Sequence, residues 1–190
     1  ICKKVLKIDK TKATLKDYDD SVQEFEKLCS LHHPCLCDAI GINNSETVKT
    51  ANDNETTTIA LFFEYCPNSI KTLLDNEMID NTLKTKIVIE IAHALLFVHN
   101  HGLIHRDLTF DNVLLNSIFE VKIINLGLSQ ICEHLSQNFT FTSSEIFMSP
   151  EMREKKKYDF KTDVYSFGVL LYYIFCKKQP DFVLNDNLAD

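Results

Sequence analysis

The spacing of apolar residues changes along the chain from strand-like patterns to helical ones. KVLKI at residues 4–8 alternates apolar and polar positions, and IALFFEY at 59–65 is a short, mostly apolar run. Both patterns predict β-strands, the second of them buried. Between them, SVQEFEKLCSL predicts a helix, because its apolar residues fall on one stripe: Val22, Phe25, Leu28 and Leu31. We therefore predict a small strand-rich unit with one helix over residues 1–66.

A polar segment interrupts this first unit. NNSETVKTANDNETTT, residues 43–58, is low in complexity and follows neither a strand nor a helix period. A segment of this composition has little apolar surface to bury and so has little reason to order itself. We predict a mobile polar loop over residues 43–58.

The pattern becomes helical after Cys66 and Pro67. SIKTLLDN predicts a short helix, and NTLKTKIVIEIAHALLFVHNHG predicts a long one that ends at Gly102 in the manner of a C-cap. VLLN and VKII predict two short strands, and DVYSFGVLLYYIF predicts a buried helix. The apolar face of the long helix comprises Leu83, Ile87, Ile91, Leu95 and Val98. Residues 67–190 are thus predicted to form a second, mainly helical unit.

Composition narrows the functional classes. The chain has 190 residues, 45% of them hydrophobic, which suits about one globular domain with a sizeable core. A formal net charge of −7 offers no basic surface for nucleic acid, so we expect no nucleic-acid partner. The sequence contains neither an apolar run of roughly 18 residues nor a signal peptide at its start. We therefore expect an intracellular, cytoplasmic chain without a membrane span.

The cysteines predict free thiols rather than disulfides. There are 7 of them, an odd number without a CxxC pair, which favours a reducing compartment. LHHPCLC crowds four possible zinc ligands into one short stretch: His32, His33, Cys35 and Cys37. Ligands so close together on one segment cannot easily form a tetrahedral shell, so we favour a helix that stops before Pro34.

Three motifs in the second half carry the strongest functional signal. HRDLTFDN at 105–112 matches the pattern H-R-D-L-x-x-x-N, NLG at 125–127 stands where D-F-G belongs, and SPE at 149–151 stands where A-P-E belongs. Their order and separations also agree, and the chain resembles a eukaryotic protein kinase catalytic domain over nearly all of its length. Among the kinase groups, the chain most resembles the tyrosine-kinase-like serine/threonine group.

This resemblance implies an α+β, bilobal protein-kinase-like fold. Residues 1–66 would form part of the N-lobe up to the hinge, and 67–190 part of the C-lobe, with the catalytic loop at 105–112 and the activation segment at 125–151. Nothing before Ile1 supplies the Gly-rich strand pair, and the last C-lobe helices have no counterpart here. We therefore expect a fold truncated at both ends and poorly stable by itself.

The resemblance also implies roles for single residues around ATP, Mg²⁺ and a protein substrate. Asp107 would orient the substrate hydroxyl and accept its proton, and Asn112 and Asn125 would bind Mg²⁺. Lys3, or Lys4 as the alternative, would clamp the phosphates and pair with Glu24. The adenine would contact backbone groups of hinge residues Glu64 and Cys66, next to the gatekeeper Phe63.

Further residues would support this site. Asp163 would hold the backbone of the catalytic loop, and Leu28, Leu126 and His105 would stack between the lobes. Arg106 could bind a phosphate placed on Thr140 or Thr142, which implies an activating kinase or a scaffold as a further partner.

Two departures from the family pattern leave two functions open. Thr109 replaces a lysine found in many serine/threonine kinases, so the acceptor is undecided, with serine/threonine favoured. Asn125 replaces an acidic metal ligand, so the Mg²⁺ site is expected to be weakened. The chain is either a slow protein kinase or a pseudokinase that acts as a scaffold or allosteric interaction module, and the retained Asp107 and Asn112 favour the enzyme.

Overall fold

The structure is a computed structural model. For residues 4–9, 44–49 and 55–59 it describes the backbone alone. The described part of the chain comprises residues 1–9, 22–23, 25–49, 55–76, 79–126, 145–178 and 180.

The first sheet contains three antiparallel strands in the order β1-β3-β2. They are β1 (Cys2–Asp9), β2 (Ala39–Lys49) and β3 (Glu55–Phe63). Phe63 lies opposite Cys2 on one side and opposite Ala39 on the other. The register of β2 shifts at two places, where the pairing skips a residue and bends the strand. The two strands predicted from the apolar pattern are both present in this sheet.

The prediction of a polar loop over residues 43–58 is wrong for most of that segment. β2 continues through Lys49 and β3 already begins at Glu55, so the two strands form a long hairpin. Backbone groups pair along it whatever the polarity of the side chains, and valine and threonine are good strand formers. The backbone of Val48 pairs in register with that of Thr56, for example. Residues 50–54 lie outside the described part.

The predicted helix packs one apolar side against this sheet. Residues 22–23 and 25–29 are helical, and the chain turns at Ser30, before Pro34 as predicted. Phe25 and Leu28 are buried and form a small cluster with Leu61 of β3. This cluster holds the helix beside the strand that leads to the hinge.

The second sheet is small and antiparallel, in the order β4-β5-β6. Its strands are β4 (Asn68–Ser69), β5 (Val113–Leu115) and β6 (Val121–Ile123). A parallel bridge joins Leu36 to Ile123, and the backbone N–H of Cys37 donates to the Ile123 carbonyl at 2.9 Å. The segment before β2 is thereby fixed against the strand that leads to Asn125.

Two capped helices follow the hinge. Ser69 is the N-cap of the short helix Ile70–Asp75, and Asp80 is the N-cap of the long helix Asn81–Asn100. Oδ1 of Asp80 accepts a hydrogen bond from the Leu83 N–H at 2.8 Å. The long helix ends at Asn100, and Gly102, two residues later, has φ +72°. The N–H groups of Gly102 and Leu103 donate to carbonyls of the last turn, so the predicted glycine C-cap is a Schellman motif.

The main core lies between the long helix, the helix Lys161–Cys176 and the second sheet. On the predicted face of the long helix, Ile87, Ile91, Leu95 and Val98 are buried, while Leu83 is half-buried. Shorter helical turns at Phe110–Asn112, Glu145–Phe147 and Pro150–Arg153 complete the described part of this unit. Among the described helices, none has the length and apolar character needed to cross a membrane.

Candidate active site

A buried carboxylate holds the catalytic loop. Both side-chain oxygens of Asp163 accept backbone N–H groups, Oδ2 from His105 and Oδ1 from Arg106, each at 2.8 Å. Asp163 is fully buried, so these charge-assisted bonds replace its hydration. They also support Arg106 at φ +68°, a conformation that non-glycine residues rarely adopt. The predicted role of Asp163 as the anchor of this loop is confirmed.

His99 is a member of this anchor that the sequence did not reveal. Its Nε2 lies 2.8 Å from Asp163 Oδ2, and its ring lies against Phe160. Since an ionised carboxylate can only accept, His99 donates this hydrogen bond. No motif in the long helix marks His99, which is 64 residues away from Asp163 along the chain.

His105 connects the catalytic loop to the segment that carries Asn125. Its Nε2 lies 3.0 Å from the Ile124 carbonyl oxygen, and its Nδ1 lies 3.3 Å from the Asp107 backbone nitrogen. The carbonyl can only accept and the N–H can only donate, so the ring carries its proton on Nε2 and accepts at Nδ1. This fully buried ring links the two segments.

Among the described residues, one side-chain oxygen of Asp107 accepts a hydrogen bond and the other does not. Oδ2 accepts from Asn112 Nδ2 at 2.8 Å, and the same amide also donates to the Asp107 backbone carbonyl at 2.6 Å. Oδ1 is buried and accepts no hydrogen bond from the described residues. A buried carboxylate oxygen without a donor is costly, so this atom suits a group that brings its own O–H.

The two predicted metal ligands, Asn112 and Asn125, are hydrogen-bonded to each other. Asn125 Nδ2 donates to Asn112 Oδ1 at 2.6 Å. The direction is fixed by Asp107, because the Asn112 amide nitrogen must face that carboxylate and its oxygen must then face Asn125. Asn125 has φ +67°, a left-handed conformation that asparagine tolerates. A carboxylate at position 125 could not donate this hydrogen bond.

This amide pair does not fit a resident divalent cation. Mg²⁺ prefers hard oxygen ligands and is usually bound by at least one carboxylate. Position 125 offers a neutral amide, and the Asn112 oxygen already accepts from it. A cation at this place would have to break the hydrogen bond without gaining a charged ligand in return.

A cavity of about 300 Å³ brings together predicted residues from both sheets. Its wall includes Lys3, Phe63, Glu64, Cys66 and Asn125. Lys3 is exposed and pairs in register with Phe62 of β3. Its predicted partner Glu24 and the side chain of the alternative, Lys4, lie outside the described part. Lys3 therefore lines the cavity, and its contact with a nucleotide stays a prediction.

The side chain of Glu64 holds the predicted hinge against neighbouring segments. Its Oε1 accepts from the Asp38 backbone N–H at 3.0 Å and from Lys122 Nζ at 2.9 Å. Burial would lower the pKa of Lys122, but the hydrogen bond and charge of Glu64 outweigh it, so that pKa is raised. The sequence suggested a role only for the Glu64 backbone and did not indicate Lys122.

The predicted contacts between the lobes are partly present. Phe63 packs edge-on against Phe25, with ring centroids 5.9 Å apart. Leu126 packs against the cluster that contains Leu28, as expected. His105, the third residue of the predicted stack, contacts the Ile124 backbone by a hydrogen bond. Phe63 is thereby held where β3 enters the hinge.

The LHHPCLC residues are dispersed. His32 lies 3.3 Å from Asp38, the ring of His33 packs on that of Phe97, and Cys35 is buried in the main core. Of the four candidates, Cys37 alone belongs to a group of possible metal ligands within the described residues, and its neighbours there come from the hinge. The reasons for doubting a zinc site made from this stretch therefore agree with the structure.

Arg106 packs its guanidinium over the ring of Tyr158, 5.4 Å from the ring centroid. Thr140 and Thr142, predicted to carry a phosphate that Arg106 binds, lie outside the described residues. The proposed phosphate contact stays a prediction.

An α+β fold with a strand-rich part and a mainly helical part, and with Asp107 and Asn112 together in one anchored loop, is that of a protein-kinase-like domain. The profile of the family described as "Protein kinase domain" matches residues 1–188. This chain therefore belongs to the protein kinase family, and the resemblance suggested by its motifs is confirmed.

Three relatives illustrate this membership. Protein kinase kin1 of Schizosaccharomyces pombe is 29% identical over 165 residues, which cover 84% of this chain and 17% of that protein. A probable serine/threonine-protein kinase of Dictyostelium discoideum is also 29% identical over 165 residues, covering 84% and 26%. Serine/threonine-protein kinase kin-29 of Caenorhabditis elegans is 31% identical over 173 residues, covering 87% and 21%. The chain thus spans roughly a quarter or less of the length of these relatives.

Proposed function

We propose that this chain is the ATP-binding and catalytic part of a serine/threonine protein kinase that works at a reduced rate. The observation that carries the proposal is Asp107 Oδ1, a buried carboxylate oxygen that accepts no hydrogen bond from the described residues, in a loop whose backbone is anchored by Asp163. The relatives named as serine/threonine kinases support the choice of acceptor. We further propose a cytoplasmic location, and an activating kinase or a scaffold as partner.

In this proposal the chain's own residues position and deprotonate the acceptor. ATP lies in the cavity, with its adenine at the backbone of Glu64 and Cys66 and its phosphates near Lys3. The substrate hydroxyl donates to Asp107 Oδ1. As the bond between its oxygen and the γ-phosphorus forms, the bond to the β-phosphate oxygen breaks, ADP leaves, and Asp107 receives the proton. Asn112 holds the other carboxylate oxygen and so orients Oδ1.

Asn125 is the reason for the reduced rate. ATP arrives as its magnesium complex, and a carboxylate at position 125 would attract that dication, whereas the amide does not. Two unit charges about 4 Å apart interact by roughly 4 kcal/mol at an effective dielectric near 20. If about 3 kcal/mol of this is lost from the transition state, the rate falls on the order of 100-fold.

A second function is favoured by the hydrogen bond between Asn125 and Asn112. It satisfies the Asn112 oxygen without any cation, so the loop keeps its conformation in a protein that performs no phosphoryl transfer. In that case the chain is a pseudokinase, and its fold presents a surface to a partner protein.

One experiment separates the two functions. The full-length protein is incubated with radiolabelled ATP and peptide libraries that offer serine, threonine or tyrosine, alongside Asp107→Asn as the matched control. A slow signal on serine or threonine that Asp107→Asn abolishes supports the kinase. A signal equal in both proteins is contamination by another kinase and supports the pseudokinase. Binding of adenosine, measured by thermal shift, shows separately whether the cavity takes the base.

A further inference from the structure

We propose that Cys37, Glu64 and Cys66 form a binding site for a soft divalent metal ion, Zn²⁺ in the first instance, in the wall of the nucleotide cavity. One ligand atom of each residue, two sulfurs and a carboxylate oxygen, lies within 4.8 Å of the other two. We call these three residues the hinge thiol site.

Two rigid backbone segments create this cluster. Cys37 precedes β2, whereas Glu64 and Cys66 follow β3, and the pairing of these neighbouring strands brings the segments together. The Cys37 N–H is fixed to the Ile123 carbonyl, and the Glu64 N–H to the Asp38 carbonyl at 3.0 Å. The Cys37 thiol already lies 3.7 Å from the Glu64 carbonyl. The ligands are therefore close together before any metal arrives.

The geometry requires only small side-chain movements. Zn–S bonds are about 2.3 Å and Zn–O bonds about 2.0–2.2 Å, so tetrahedral ligand atoms stand roughly 3.5–3.8 Å apart. The observed upper limit of 4.8 Å exceeds this by about 1 Å, which side-chain rotation can close. The three residues also line the cavity, so the fourth position of the metal faces its interior.

The charges also suit a divalent ion. Two thiolates and one carboxylate carry −3 in total, and a divalent metal leaves −1. The ammonium group of Lys122, 2.9 Å from Glu64 Oε1, can balance that remainder. Thiolates are soft ligands that select Zn²⁺ over Mg²⁺ or Ca²⁺, so this site does not duplicate the one expected at Asn112.

Both thiols are protonated before the metal binds. Burial raises the pKa of Cys37 and of Cys66, and the neighbouring Glu64 carboxylate raises both further. Binding must therefore release one proton from each thiol as each S–H is replaced by a metal–sulfur bond. This release distinguishes thiolate ligation from weak binding at surface carboxylates.

A metal at this site would occupy the place proposed for the adenine, since Glu64 and Cys66 belong to the hinge. Metal and nucleoside binding should then exclude each other. This consequence alone rests on the proposed function, whereas the metal site itself does not.

The test is a titration of the reduced full-length protein with Co²⁺, a spectroscopic substitute for Zn²⁺. We expect one Co²⁺ per chain with a near-ultraviolet thiolate charge-transfer band and intensified visible bands, both removed by Zn²⁺. Cys37→Ser and Cys66→Ser each remove a direct metal ligand. Each should therefore weaken Co²⁺ binding by more than the roughly 10- to 100-fold typical of changing a residue that only hydrogen-bonds to a ligand. The matched controls are Cys2→Ser, a thiol of the same cavity outside the hinge thiol site, and Cys176→Ser, an exposed thiol.

Several results would overturn the proposal. These are an absent thiolate band, an unchanged titration in Cys37→Ser, or an equal loss in Cys2→Ser. If the serine variants unfold, Glu64→Gln keeps both thiols and should retain the charge-transfer band at lower affinity, while an unchanged affinity counts against the site. Calorimetric metal titrations in buffers of different ionisation enthalpy should show that two protons are released on binding. Binding without proton release would contradict thiolate ligation.

The competition is measured with adenosine, which lacks phosphates that would chelate the metal. Zn²⁺ should weaken adenosine binding in the wild type but not in Cys37→Ser. If adenosine does not bind at all, the proposed nucleotide site fails while the Co²⁺ titration still decides the metal site. If adenosine and Co²⁺ bind together without competition, adenosine does not occupy the hinge thiol site and the proposed place of the adenine is wrong, while the Co²⁺ titration decides the metal site by itself.

Discussion

Asn125 donates its side-chain amide to the Asn112 oxygen at 2.6 Å, so two residues predicted to share a metal ion satisfy each other instead. The bond continues a chain in which Asn112 in turn donates to Asp107. The exchange of an acid for an amide at position 125 therefore affects more than charge. It supplies the donor that keeps Asn112, and through it Asp107, in one orientation.

Replacing Asn125 by aspartate should raise phosphoryl transfer by the full-length protein roughly 10- to 1000-fold, which corresponds to about 1.4–4 kcal/mol. The carboxylate restores a charged ligand for the magnesium that accompanies ATP. The measurement is the initial rate of peptide phosphorylation at saturating ATP. Asp107→Asn in the same background should abolish the gain.

Asn125→Asp also removes the donor to Asn112, so without nucleotide the variant should be less stable than the wild type. If transfer stays at background while adenosine still binds, the missing charge is not the main defect and the pseudokinase is favoured. An ordinary kinase rate in the wild type would show that the lost charge matters little.

Replacing Asp163 by alanine should loosen the catalytic loop. The N–H groups of His105 and Arg106 would lose their acceptor, at a cost of roughly 1–3 kcal/mol for each buried donor left unsatisfied. Hydrogen–deuterium exchange of a peptide spanning residues 102–112 in the full-length protein gives a local measure of this opening. His99→Gln is the control, because it preserves the carboxylate and both backbone bonds.

His99→Gln should cost only about 0.5–1.5 kcal/mol, the net value of one hydrogen bond. Equal exchange in the two variants would show that the histidine, rather than the backbone contacts, maintains the loop. Unchanged exchange in Asp163→Ala would refute the anchoring role.

Phe63→Gly should open the cavity behind the adenine and admit nucleosides enlarged on the purine ring. The phenylalanine side chain lines the cavity and is braced by the Phe25 ring. Because Phe63 is only half-buried, loss of this packing should cost less than the roughly 3–5 kcal/mol typical of a fully buried phenylalanine. Thermal-shift binding of adenosine and its enlarged analogues measures the effect, with Phe63→Leu as a control that keeps most of the bulk. If the wild type binds the enlarged analogues equally well, Phe63 is not the gatekeeper.

Two glycine substitutions should change stability in opposite directions. Gly102→Ala should destabilise the domain by about 1 kcal/mol, because Gly102 has φ +72° at the end of the long helix. Gly168→Ala should stabilise it by about 0.5–1 kcal/mol, because Gly168 lies inside a helix where alanine is preferred. Among the described residues, and apart from its own chain neighbours and helix backbone, an added Cβ meets no atom within 4 Å at either position, so backbone conformation decides the sign.

The free energy of unfolding in urea, measured on the full-length protein, gives both values. Gly168→Ala serves as the control for any general effect of adding a methyl group. Destabilisation by both changes would mean that packing, rather than the left-handed conformation, governs position 102.

The sequence by itself determined the local elements. Ile87, Ile91 and Val98 recur at helical spacing because one face of their helix is buried, and Gly102 ends the helix because its conformation is left-handed. The catalytic loop was also recognisable, since Asp107 and Asn112 interact across five residues of one segment. Such features depend on neighbours along the chain, and the sequence records those neighbours directly.

The tertiary structure alone decided the contacts between distant segments. His99 meets Asp163 across 64 residues, and Cys37 meets the hinge through the pairing of β2 with β3. The β2–β3 hairpin itself was missed, because backbone pairing orders polar residues without leaving an apolar pattern. The orientation of Asn125 depended on a hydrogen-bond network that reaches back to Asp107. Periodicity and motifs in a sequence indicate which residues are buried and which lie near each other along the chain. The partners in a long-range hydrogen bond depend instead on where the folded backbone places the two residues.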